Sequence, residues 1–198
     1  MIAVFVREIR KAVAVLRLDR AAIDSVWNEN GRSVLWMAIF ILMFPAVVNV
    51  LVLSMGYSGG LGVLFSKYVF WPLMIPAISL GGSFLVAAVA AVRIFKVGGM
   101  DYRRFFTVLA YASIFIWATI LWFLLEFFGL SLGRGLFNIL WFAGFVWILI
   151  VASRLLMWRF GLGQRPVLIC LGIAFLAYIL INTVLGSVLV GGGYRVIY

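Results

Sequence analysis

Residues 79–128 constrain this chain most. They read SLGGSFLVAAVAAVRIFKVGGMDYRRFFTVLAYASIFIWATILWFLLEFF, two apolar runs joined by the basic stretch Lys96–Arg104. About 20 apolar residues in a helix, at 1.5 Å each, cross a hydrocarbon core of about 30 Å. In lipid every backbone polar group must be satisfied internally, so a single-chain segment of this kind is a helix. Two such helices joined by a short charged hinge cannot belong to a water-soluble globule. Composition extends the point to the whole chain. It is 67% apolar and 11% charged, with a mean hydropathy of +1.23, against roughly 25% charged in soluble proteins. The expected fold class is an all-α integral membrane protein.

Five apolar runs are expected to span, at about 34–55, 68–95, 105–125, 135–157 and 166–190, together forming a transmembrane domain over 34–190. Residues 191–198 form an extracytoplasmic tail, and residues 1–33 a cytoplasmic N-terminal segment. In that segment Ile2, Phe5, Val6, Ile9, Val13 and Leu16 fall on one helical side, while Arg7, Arg10, Lys11 and Arg17 fall largely elsewhere. This predicts an amphipathic helix in the interface plane. Asp19–Arg32 predicts a further helical turn or two before a turn near Asn28–Gly31, with Ser33 capping the first span. The segment lacks the pattern of a secretory leader, so the first span is expected to act as the insertion signal.

Within the spans, Pro45 frees the carbonyl of Ile41 and predicts a kink, and Pro76 a second bend. Ser83, Ala87 and Ala91 recur every four residues, a small-residue ridge that lets a neighbouring helix approach. Asn49 and Asn182 are candidates for hydrogen bonds between helices, and Tyr178, Asn182 and Gly186 share a face. Gly98 and Gly99 are expected to end the second span, Asp101 to cap the third, and Glu126 to pair with Arg134 at the outer surface.

Lysines and arginines set the sidedness. Thirteen lie on the N-terminal side of this topology and three, Lys67, Arg134 and Arg195, on the other. The positive-inside rule puts the N-terminus in the cytoplasm and the C-terminus outside. The same placement, between apolar runs, argues against nucleic acid as the target of the +10 net charge. No acid falls mid-span, which disfavours a proton- or ion-coupled carrier. With no histidine and Cys170 as the one cysteine, histidine triads and His/Cys metal centres are excluded, so no catalytic, cofactor or metal residue is assigned. Arg93, Lys96, Arg103 and Arg104 are the candidate docking residues, for anionic headgroups or for other membrane proteins, in a homo- or hetero-oligomer. The expected role is a non-enzymatic scaffold. The alternatives are a small transporter or lipid-translocating protein working beside the bent spans, or an accessory subunit of a larger complex.

Residues 81–113, GGSFLVAAVAAVRIFKVGGMDYRRFFTVLAYAS, resemble the Yip family of membrane proteins, partners of Ypt/Rab GTPases. The resemblance rests on Gly98–Gly99, Arg103–Arg104 and the Tyr111–Ala112 step in a small-residue helix, basic loop, aromatic helix order. It implies five spans, a cytoplasmic N-terminus and a pre-membrane segment at Asp19–Trp27. The family's proline after the tyrosine–alanine step is replaced here, where Ile114 and Phe115 follow Ser113. The compact form is similar to prokaryotic relatives, which implies a plasma membrane location.

Overall fold

Local sequence signals set most of the helix boundaries. A computed structural model of the chain describes residues 2–29, 31–56, 70–128 and 134–189. Helix α1, Ile2–Leu16, stops where Leu18 takes a left-handed backbone (φ 59°) and the Asp19 N–H returns to the Ala14 carbonyl at 3.0 Å. Asp19 then caps α2, Arg20–Asn28, its Oδ1 accepting from the amides of Ala21 and Ala22 at 2.9 and 3.4 Å. This is the short helix expected there, about two and a half turns long. Helix α3, Arg32–Gly56, already begins before Ser33, its first turn closed by Val34 N–H on the Gly31 carbonyl, so Ser33 is not the cap.

Helix α4 spans Phe70–Phe95. It ends before the glycines expected to stop it, because Lys96 itself takes the left-handed conformation (φ 55°); Gly99 (φ 71°) serves the turn that follows. Asp101 caps α5, Tyr102–Ala112, accepting from Arg103 and Arg104 amides at 3.0 and 3.2 Å, as the sequence predicts. A 3₁₀ turn, Ser113–Trp117, leads into α6, Ala118–Phe127; α7 is Arg134–Phe160 and α8 is Gln164–Leu189. No strand occurs among the described residues. Among the described residues four helical stretches are long and apolar enough to cross a membrane: Met74–Phe95, Tyr102–Leu121, Ile139–Phe160 and Gln164–Leu189. In α3, Arg32–Gly56, the apolar stretch within the described side chains is Arg32–Val48. The expected loops within 57–69 and 129–133, the tail from 190, and the side chains of Asn49, Glu126 and Arg134 lie outside what is described.

The most extensive helix pair is α4 with α8. Ser83, Ala87 and Ala91 are buried, as a packing ridge requires. Gly82 shows how close the approach is: a Cβ there would stand 2.9 Å from Ile181 Cδ1. From α8, Val167, Cys170, Ala174, Tyr178, Asn182 and Gly186 form one buried stripe, which includes the face expected from the last three. Tyr178 accepts from Trp141 Nε1 at 3.3 Å and its ring lies 5.1 Å from that of Phe145.

Helix α3 packs against α4, α5 and α6. The Ile41 carbonyl that Pro45 frees receives the indole N–H of Trp117 at 2.9 Å. The Trp117 ring lies 4.6 Å from that of Phe44, which in turn lies 4.9 Å from that of Phe40. Proline removes one donor, and a tryptophan from the 3₁₀ turn supplies another.

Helix α1 packs on the bundle through a face that flanks its apolar side. Glu8, Ala12 and Val15 are buried, whereas Val4, Phe5 and Val6 stay exposed. The inward face is rotated by about a quarter turn from the predicted apolar one, counting about 100° per residue. A carboxylate can be the buried residue because the fold supplies its partners, and Ala12 lets the α1 backbone come close.

Candidate functional site

The ends of α4 and α7 and the starts of α3, α5 and α8 meet at one end of the bundle, where α1 and α2 also lie. Most of the charged side chains gather there. Its acids are all engaged within the chain. Glu8, 3% exposed, accepts from the Tyr111 hydroxyl at 2.7 Å, from Lys11 Nζ at 3.2 Å and from Arg7 Nε at 3.0 Å. Lys11 bridges onward to both oxygens of Glu29, at 2.5 and 2.7 Å, and Ser25 donates to the same carboxylate at 3.2 Å. Burial pushes the Glu8 carboxyl up, but the hydrogen bonds from Tyr111 and Lys11, the Lys11 charge and the Arg7 contact outweigh it. Glu8 is therefore held below the usual carboxylate range.

Three further ties fasten the N-terminal segment to the bundle. Trp147 Nε1 donates to the Leu16 carbonyl at 2.8 Å, taking a carbonyl left over at the end of α1. Arg103 Nη2 donates to the Gly31 carbonyl at 3.1 Å. Arg159 donates to Asp24 Oδ1 at 3.0 Å and to Asn28 Oδ1 at 3.5 Å, and its guanidinium lies 5.1 Å from the centre of the Trp27 ring. The rings of Trp27 and Phe160 meet edge to face at 5.5 Å.

The candidate docking residues divide into two pairs. Arg93 and Lys96 are exposed and make no hydrogen bond or ion pair among the described residues. Arg103 is half-buried on the Gly31 carbonyl. Arg104 Nε lies 3.1 Å from Asp101 Oδ2, an ion-pair distance without hydrogen-bond alignment. Arg10, Arg17, Arg20, Arg32 and Arg165 join Arg93 and Lys96 as exposed bases with no such partner among the described residues. Carboxylates are matched inside and surplus positive charge is left outside. Of the candidate packing residues, Ser83 bonds its own helix at the Leu80 carbonyl, 2.7 Å away, and Asn182 is buried.

Sequence reading did not single out Tyr111 or Trp147 as partners of the N-terminal segment. Their contacts bridge 103 and 131 residues, and no local pattern announces a pair so distant. Among the described residues no three of His, Cys, Asp and Glu come together as metal ligands.

No family model matches the chain, and no curated protein and no solved structure matches it either.

Proposed function

We propose that the chain is a non-enzymatic polytopic membrane protein that organises lipids or partner proteins through its basic end. The observation that carries this reading is the division of charge. Every described carboxylate at that end is engaged within the chain, while Arg10, Arg17, Arg20, Arg32, Arg93, Lys96 and Arg165 face outward unmatched. Each base near an anionic leaflet contributes about 1 kcal/mol of attraction.

The topology in this reading has five crossings. Helix α3, 25 residues and about 37 Å long, joins the four apolar stretches. The excess of lysine and arginine on the α1 side puts the basic end in the cytoplasm and the C-terminus on the opposite side. The Yip resemblance of residues 81–113 agrees with this arrangement and suggests a protein partner at the cytoplasmic face. A path beside the Pro45 bend has less support, because Pro45 is buried and the carbonyl it frees is taken by Trp117.

The test is recovery of partners from membranes in mild detergent, quantified by mass spectrometry, with Arg93→Glu and Lys96→Glu combined. These two positions are the informative ones, since Arg103 and Arg104 already hold the fold. A stoichiometric partner lost from the double variant supports docking. A partner set recovered unchanged removes the assignment.

A further inference from the structure

Between α2 and α7 lies a cleft of about 150 Å³ whose lining includes Arg20, Asp24, Trp158 and Arg159 over an apolar floor of Ile23 and Leu155. We infer that this cleft holds the phosphate of an anionic membrane phospholipid, gripped by Arg20 and Arg159 beside Trp158. The inference rests on the chain lying in a membrane and not on the docking of a protein partner.

Arg159 is built for such a grip. Asp24 and Asn28 each take one of its N–H groups and Trp27 supports the guanidinium face, so the group is held in place before any ligand arrives. A guanidinium has five donors, and the remaining ones are available to an oxyanion. Asp24 neutralises one positive charge at the cleft. Arg20 restores the excess: it is exposed and has no ion-pair or hydrogen-bond partner among the described residues. Arg154 adds a third guanidinium nearby, 5.8 Å from the centre of the Trp158 ring.

The level of the cleft fits a headgroup. The apolar stretch of α7 runs Ile139–Phe160, so Trp158 and Arg159 stand at its end, where tryptophan and arginine meet headgroups. Basic pockets between helices at this depth are the sites at which proteins hold phosphate-bearing headgroups. The cleft accommodates a phosphate with some water, and the lipid tails remain outside.

The experiment is native mass spectrometry of the full chain released from phosphatidylcholine nanodiscs containing a minor fraction of phosphatidylglycerol. Arg20→Ala is expected to lower the retained phosphatidylglycerol about tenfold, the loss of one charge-assisted contact. Arg20→Lys keeps the charge without the fork and should fall between. Arg165→Ala, equally exposed and unmatched but outside the candidate docking set, should lower retention clearly less than Arg20→Ala. Equal losses from Arg20→Ala and Arg165→Ala would mean generic charge attraction and overturn the site. A second arm adds inorganic phosphate. Lipid that stays bound supports the headgroup assignment, whereas lipid displaced mole for mole would make the cleft a site for the free ion and overturn it. Neither arm depends on whether a protein partner is recovered with Arg93 and Lys96.

Discussion

Along the α4–α8 seam the helices meet through small and apolar groups: a glycine at 82 under Ile181, and alanines at 87 and 91 buried within α4. At the basic end, α1 and α2 are tied by a carboxylate on a tyrosine, an indole on a carbonyl and an arginine on an aspartate. The two regions face different competitors. Between membrane helices lipid is as apolar as the protein, so close packing has to supply the attraction. In the proposed topology the N-terminal segment competes with water, and directional polar bonds, once buried, resist it. The seam should thus be sensitive to volume and nearly blind to pH and charge. The basic end should behave the opposite way.

The largest contrast comes from Lys11→Met. It removes the cation shared by Glu8 and Glu29 and leaves a buried carboxylate short of a partner. The cost expected is about 3 kcal/mol, the lower end for a broken buried pair, since the Lys11 side chain keeps 17% exposure. Unfolding in mixed micelles would measure it, with α1 loosening while the α4–α8 seam holds. Gly82→Leu should do the reverse. Overpacking against Ile181 is expected to cost about 2 kcal/mol and to separate α8 from α4 with α1 still attached.

Trp117→Phe sharpens the comparison, because it is a polar tie inside an apolar region. Loss of the Ile41 contact should cost about 1 kcal/mol. In a Pro45→Ala background the backbone N–H at 45 returns to that carbonyl, so the same substitution should cost close to nothing in a double-mutant cycle. Full additivity would contradict the role given to Trp117.

The smallest effect is that of pH. Glu8 is held below its ordinary value of 4.5 when folded. Its contribution is therefore complete above that value and is lost as pH falls through the lower folded one. Attachment of α1 should be flat from neutral pH down to 4.5 and weaken only below it, followed by protease sensitivity near Arg17. The α4–α8 seam should not respond over the same range.

Much of this was legible from local signals. Apolar runs marked the long helices, Asp101 marked a cap, and the proline at 45 marked Ile41 as a carbonyl needing a donor. The i+4 recurrence of Ser83, Ala87 and Ala91 marked a packed ridge. What could not be read depended on distant partners. The apolar side of α1 could be read from spacing, but not that Glu8 would turn inward to meet Tyr111. Lys96 in the left-handed position shows the same limit, since the glycines two and three residues later are the stronger local stop signal. The candidate site was half legible: charge identified Arg93, Lys96, Arg103 and Arg104 alike, but only the fold shows that the last two are already engaged.

Hydrogen exchange of the full chain in nanodiscs, read by mass spectrometry, tests most directly whether the Glu8, Lys11 and Tyr111 network holds α1 to the bundle. In the parent protein the amides of α1 should be protected to the same order as those of α5, and Lys11→Met should release α1 alone. If α1 exchanges as a free peptide in the parent, or if its protection is the same in the variant, the N-terminal helices are not held by this network.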